Sequence, residues 1–421
     1  MIERVLYTSL LYCLLPLLPL RLAWRARKEP EYLQHVGERF GFYTTRPSKP
    51  TIWLHAVSVG ETRAAAPLIK LFQTRNSQYQ ILLTHMTPTG RAASAELWGD
   101  SILRCYLPYD YPFAVRSFLR RFQPRLGILL ETELWPNLIF ICREQNVPLA
   151  LINARLSERS ARGYGRFPAL TSDALNRLAL LAAQTDADGE RLQSLFSGPL
   201  SIMGNLKFDN DVPAEQLALG KKFRQLFGAD RPVWLAASTR DGEEKLLLDT
   251  LEKIQTPSAL AVLVPRHPQR FNQVAELLKA HGIAFQQRSD NAAIAPATRV
   301  VLGDSMGEMF AYFAASDVAF IGGSLLPMGG QNLIEACAVG TPVLIGPHTF
   351  NFAEATQQAI ACGAARRVVD AGDLAKELDK LLAAPGARRA MAQAGLDFTA
   401  RHRGAAERAY GLVSALLDRR V

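Results

Sequence analysis

Short apolar runs recur along most of this chain, each closed by a glycine or polar turn and followed by a stretch whose apolar positions repeat with helical spacing. In the first half such runs fall at residues 51–55, 81–84, 103–106, 126–130, 149–153 and 178–183. In the second half they fall at residues 234–238, 260–265, in a run ending at Leu302, and at 318–321 and 341–345. Strands that are apolar throughout are buried on both faces, and their alternation with helices predicts doubly wound parallel sheets. Residues 209–215, DNDVPAE, are polar, contain Pro213 and read as a linker between two series of such units. A chain of 421 residues is long enough for two domains, each with its own core. The expectation is an α/β protein with two Rossmann-like domains.

The ends depart from this rhythm. Residues 5–20, VLYTSLLYCLLPLLPL, are apolar apart from Thr8, Ser9 and two prolines, and Arg21, Arg25, Arg27 and Lys28 follow at once. This is the pattern of a membrane anchor helix with a basic cytoplasmic flank. The run is shorter than the ~20 residues that cross a bilayer comfortably, so a helix embedded in one leaflet and a single pass both stay open. Pro16 and Pro19 should kink it. With no place in either sheet, the run should be removable without loss of the fold. Phe40, Phe42 and Tyr43 either lie at a bilayer interface or pack on the first domain. At the other end, residues 373–384, 387–399 and 405–419 read as helices. The organisation expected is 1–28 anchor and basic flank, 29–210 first domain, 211–400 second domain and 401–421 a terminal helix.

Charge adds a direction. Of a net +9, eight charges belong to residues 1–210, which carry 25 Lys and Arg against 17 Asp and Glu. A basic first half suits an anionic lipid surface or a phosphorylated acceptor. Nucleic acid is a poor alternative, because the arginines are scattered, with no basic helix and no aromatic stacking motif. The five cysteines have no paired spacing and sit among apolar residues, as buried free thiols in a reducing compartment would.

Residues 300–352 hold the densest candidate chemistry: two successive β-α units with Gly303, Gly307, Gly322, Gly323, Gly329 and Gly330 in the turns. The first helix is expected from about Gly307 to Ala315. Loops of this kind gather at one sheet edge, where N–H groups can hold a phosphate. Asn332 and Glu335, three residues apart, are expected on one face of the second helix, where a carboxylate can accept ribose hydroxyls. In the first half, WLHAVSVGE puts Glu61 at a helix start after a buried strand. From residues alone, Glu61 is a carboxylate complementing the helix dipole.

The segment GGSLLPMGGQNLIEACAVGTPVLIGPHTFNF resembles the donor-nucleotide half of GT-B glycosyltransferases. With WLHAVSVGE, ETELWPN, NARLSERS, GNLKFD and PRHPQRF, the chain is similar to the 3-deoxy-D-manno-octulosonic acid (Kdo) transferases of lipopolysaccharide synthesis. The resemblance implies an inverting transferase that moves Kdo from CMP-Kdo to a lipid A precursor (lipid IVA) at the cytoplasmic side of a bacterial inner membrane. It makes Glu61 the general base, and puts Arg91, one of Glu131 and Glu133, and Lys207 on the acceptor side. It places Arg266, His267, Gly307, Glu308, Met309, Asn332, Leu333, Ile334 and Glu335 around the donor nucleotide. It also implies no essential metal or other cofactor in the transfer site, and a terminal helix that returns to the first domain. The rivals are a nucleotide-sugar 2-epimerase of the same fold and a non-catalytic, membrane-tethered nucleotide-binding protein. The anchor and Glu61 speak against the first.

Overall fold

A computed structural model describes residues 2–27 and 29–418. Lys28 of the expected basic flank and Arg419 of the expected terminal helix lie outside the described residues. The chain divides into two compact units, residues 1–210 with 402–421, and residues 211–401.

The first unit is built on a seven-stranded parallel sheet: β1 (Thr51–His55), β2 (Gln80–His85), β3 (Leu103–Tyr106), β4 (Pro124–Leu130), β5 (Leu149–Ala154), β6 (Leu180–Ala183) and β7 (Leu200–Ile202), in the order 3-2-1-4-5-6-7. β1 explains why both faces must be covered. Its residues alternate, so Trp53 joins Phe118 and Phe122 on one face, while Ile52 and Leu54 join Leu68 and Phe72 on the other. Ala405, Ala409 and Val413 of the terminal helix Ala405–Asp418 complete that second layer, so the end of the chain is part of the first unit's core.

The second unit repeats the plan with β8 (Val233–Thr239), β9 (Leu260–Pro265), β10 (Phe285–Gln287), β11 (Val300–Leu302), β12 (Val318–Ile321), β13 (Val343–Ile345) and β14 (Ala365–Arg367), all parallel, in the order 10-11-9-8-12-13-14. The helix Ile334–Val339 stops at Gly340, whose φ of 79° is left-handed, and Thr341 N–H then donates back to Ala336 O. Two sequence expectations change here. The first glycine-loop helix begins at Met309, so Gly307 lies in the turn before it. Asn332 precedes the second helix; its Oδ1 accepts from Ile334 N at 3.1 Å, as a cap does, and its Nδ2 donates to Glu335 Oε1 at 3.0 Å.

The N-terminal apolar run is a bent pair of helices, α1 (Ile2–Leu14) and α2 (Leu17–Ala26), which meet at 60°. The bend falls beside Pro16, which cannot continue the α1 hydrogen-bond ladder. No single helix among the described residues is long and apolar enough to cross a membrane. Nor is α1 separate from the fold. Arg4, Tyr7 and Thr8 bond to residues of the first unit, so the run, though outside both sheets, contributes contacts to the fold that its apolar pattern did not announce. Tyr43 packs edge-on against Phe118 and Phe122, whereas Phe42 is exposed. Cys105, Cys142 and Cys337 are buried free thiols, but Cys13 is exposed.

Candidate active site

In the first sheet β1 and β4 are neighbours, and the chain leaves them toward opposite edges. Such a switch point opens a crevice at the carboxyl ends of the strands. The loop after β1 leads to Glu61, and the loop after β4 carries Glu131 and Glu133.

Ser58 caps the helix Val59–Ala64, and the Glu61 carboxylate folds back over the same cap. Its Oε2 accepts from Val57 N at 2.8 Å and its Oε1 from the Ser58 hydroxyl at 2.9 Å. The capping role expected from sequence is therefore real, a capping box displaced by one residue. A solvated cap carboxylate, however, would ionise near its ordinary value of 4.5 or below. Burial pushes Glu61 up to about 7, with Glu131 adding to the rise, while the bonds from Val57 and Ser58 pull the other way. Desolvation outweighs the cap, leaving a carboxyl that exchanges its proton near neutrality, as a general base should.

Around it the fold concentrates charge. Glu131 sits at φ 60°, a left-handed backbone that non-glycine residues rarely adopt, and its Oε1 accepts from Lys207 Nζ at 2.8 Å. Lys207 rides on the turn Leu206–Asp209. Asn153, also left-handed at φ 51°, fixes that turn by accepting Leu206 N–H at 3.0 Å. Asp209 at the end of the turn accepts the N–H groups of Gly404 and Ala406, which ties it to the terminal helix. Glu133 accepts from Trp135 Nε1 at 2.7 Å, and burial raises its pKa against that bond. Glu61, Glu131, Glu133 and Lys207 thus form one group.

Arg91 is drawn elsewhere. It forms an ion pair at 2.9 Å with Glu38, a largely buried carboxylate that also accepts Tyr106 N–H. The turn before Arg91 still borders the Glu61 loop, because Thr87 Oγ1 donates to Val57 O at 2.9 Å.

In the second sheet the switch point lies between β8 and β12. Gly322 ends β12 against the backbone of β8, so closely that a Cβ would stand 2.7 Å from Ser238 O. The fully buried Glu243 stitches the two loops together, its carboxylate accepting from Gly323 N, Ser324 N and Leu325 N after β12 and from Arg240 N after β8. In the sequence Glu243 is visible only as the end of a loop and start of a helix after the strand, the first of an acidic pair with Glu244.

Arg266 N donates to Thr239 O, and Arg240 Nη1 lies 3.1 Å from His267 Nε2. Partial desolvation, then Arg240, Arg266 and Arg270, hold the His267 imidazole below its ordinary 6.5, so at neutral pH it offers a lone pair as well as an N–H among these guanidinium groups. Glu308 is paired with Arg288 at 2.9 Å. Leu333 and Ile334 are buried side chains, so only their backbone can face a ligand. Among the described residues no cluster of three or more His, Cys, Asp or Glu side chains could hold a metal.

Comparison with known proteins shows what this frame belongs to. Residues 34–210 match the family described as 3-deoxy-D-manno-octulosonic-acid transferase (kdotransferase), and residues 284–398 match glycosyl transferases group 1. A 3-deoxy-D-manno-octulosonic acid transferase of Bordetella pertussis is 44% identical over 96% of this chain and 97% of its own length. One of Haemophilus influenzae is 39% identical over 99% of this chain and 100% of its own. The chain belongs to the Kdo transferases. A glycosyltransferase structure from Rickettsia africae, at 13% identity, covers 89% of this chain and 100% of its own with a TM-score of 0.63, which shows the shared GT-B fold. Membership in the Kdo transferase family makes this chain a glycosyltransferase and sets aside the epimerase and the non-catalytic reading.

Proposed function

We propose that this Kdo transferase takes Kdo from CMP-Kdo and delivers it to a lipid A precursor (lipid IVA), with Glu61 as the general base. The acceptor hydroxyl gives its proton to Glu61 as its oxygen bonds to the anomeric carbon; the bond from that carbon to the phosphate breaks, and CMP leaves with the electron pair. Attack opposite the leaving group inverts the centre. Glu131 and its partner Lys207 tune Glu61 and help receive the acceptor. The two units divide the work, with the nucleotide assigned to Arg266, His267 and the loops carrying Gly307 to Met309 and Asn332 to Glu335. The guanidinium groups neutralise charge on the departing phosphate.

The observation that carries this reading is the carboxyl of Glu61, poised near neutrality beside Glu131 at the switch point of the first sheet. It is tested by mass spectrometry of products formed from CMP-Kdo and tetra-acylated lipid A precursor by wild-type protein and by Glu61→Gln. Kdo addition that is lost in the variant supports it; addition at the wild-type rate removes Glu61 from the mechanism.

The surface of α1 and α2 supports a membrane location. Val5, Leu6, Leu10, Leu17, Leu20 and Trp24 are exposed large apolar side chains, and the basic flank carries Arg21, Arg25 and Arg27. This surface supports attachment to one leaflet of the bacterial inner membrane from the cytoplasmic side, with the apolar face in the acyl boundary and the arginines among lipid phosphates.

A further inference from the structure

Helix α1 is amphipathic in the reverse sense for a soluble unit. Ile2, Val5, Leu6 and Leu10 face outward, whereas Glu3, Arg4, Tyr7 and Thr8 turn toward the first unit. A helix that only covered a core would turn its apolar stripe inward. Here the inner seam is polar and specific. The Tyr7 hydroxyl donates to Asp110 Oδ2 at 2.9 Å, Arg4 Nε and Thr8 Oγ1 both donate to Asn137 Oδ1 at 3.1 Å, and Leu170 N donates to Glu3 Oε2 at 2.6 Å. From the other side, the Tyr111 hydroxyl donates to Leu11 O at 2.7 Å.

Asp110 is the hub. Only 3% exposed, it accepts from Tyr7 and from Asn137 N and Leu138 N at 2.9 and 2.7 Å, at the start of the helix Pro136–Glu144, while its own carbonyl accepts from Asn137 Nδ2. Desolvating a carboxylate is costly, and burial pushes this carboxyl up to about 7 in spite of the three donors and nearby Arg4. Such a group makes little sense beneath a loose tether. The residues around it lead toward the turn that borders the Glu61 loop: Tyr109 N donates to Arg39 O, the preceding Glu38 pairs with Arg91, and Thr87 in the turn before Arg91 donates to Val57 O. Outside, the apolar surface of α1 continues onto the domain, since Tyr12 contacts the rings of Tyr111 and exposed Phe113.

We infer that Asp110 is a positioning residue, clamping α1 through Tyr7 so that the apolar helix pair is a rigid part of the first unit and sets how the acceptor-side residues stand relative to the lipid surface. The inference rests on the membrane reading above. It makes a distinction that simple anchoring does not. A tether supplies membrane binding alone, whereas a clamp supplies geometry, which matters only when the acceptor is itself held in a bilayer.

The experiment compares wild type, the combined variant Arg4→Ala, Tyr7→Phe, Thr8→Val, and the single variant Asp110→Asn. Each is assayed for flotation with phosphatidylethanolamine–phosphatidylglycerol vesicles, for melting, and for turnover of lipid A precursor presented either in those vesicles or in detergent micelles. The combined variant leaves the outward apolar face intact and alters no residue of the domain core. It should float as wild type does and turn over micellar acceptor normally, yet lose about tenfold or more on vesicle acceptor, because misplacement of a reacting pair costs rate steeply. Asp110→Asn should show the same split. A vesicle-to-micelle ratio in the combined variant equal to that of wild type overturns the clamp while leaving the anchor in place. Wild-type protein that fails to float overturns the membrane reading and the clamp with it.

Discussion

A base held in a hostile place should make the protein less stable, and Glu61 allows the size of that effect to be worked out. Raising its carboxyl from 4.5 to about 7 means that ionising it in the folded chain costs about 3 kcal/mol above neutral pH. The folded state binds this proton more tightly than the unfolded state, so stability from this group falls as pH climbs from about 4.5 through about 7 and stays reduced above that. Glu61→Gln removes the ionisation but surrenders one of the two accepted bonds, from Val57 N or Ser58 Oγ, worth about 1.5 kcal/mol. At pH 8.5 the variant should therefore be more stable than wild type by roughly 1–2 kcal/mol, or a few degrees in the melting of the first unit. At pH 5 the same gain shrinks below about 1 kcal/mol, and the lost bond cancels it. Single-turnover transfer should meanwhile drop by about 10² to 10⁴. Scanning calorimetry at the two pH values, beside the transfer assay, reads both changes. A melting difference that does not depend on pH, with activity preserved, would show that Glu61 is only a helix cap and would refute the reasoning.

The other expectations follow from the same contacts. kcat/KM should rise with pH through about 7 as Glu61 loses its proton, and a flat profile across that range would count against it as the base. Lys207→Ala removes the cation bound to Glu131, leaves an unneutralised charge beside Glu61, and should move the midpoint of that profile upward; an unmoved midpoint would disconnect the pair from the base. Arg266→Ala and Glu335→Ala should each weaken CMP binding by roughly tenfold or more, checked by titration calorimetry, with wild-type affinity in both refuting the donor assignment. Deleting residues 1–22 strips Tyr7 from buried Asp110 and should lower the stability of the first unit by about 1.5 to 3 kcal/mol, read as a fall in its melting temperature.

The strands were legible because burial on both faces leaves an unbroken apolar record. Thr51–His55, Leu103–Tyr106, Leu260–Pro265 and Val318–Ile321 lie where the runs put them. β10 and β14 escaped because they are three-residue edge strands, Phe-Gln-Gln and Ala-Arg-Arg, whose pairing comes from a neighbouring strand rather than from their own pattern. Glu61 was visible as a helix-start acid, but its raised pKa comes from burial and then from Glu131, which lies far along the chain and comes close through β1–β4 pairing, and neither is written in the local sequence. The pairing of Arg91 was not legible either, because its partner Glu38 could not be told from any solvated acid. Asp110, Asn137 and Glu243 serve by accepting or bridging backbone and side-chain groups from distant segments, and periodicity carries no record of such bonds.

The terminal helix Ala405–Asp418 lies in the core layer formed by Ile52, Leu54 and Phe72 and holds Asp209 at its start. During synthesis this imposes an order. Residues 211–401 are continuous and can fold as soon as they leave the ribosome, whereas the first unit, made earlier, has an open flank until the helix Ala405–Asp418 arrives. For most of its translation the nascent protein therefore carries an uncovered apolar layer beside an apolar N-terminus, a state that calls for shelter by a chaperone or a membrane surface. Loss of the helix Ala405–Asp418 would spare the second unit and fall on the first.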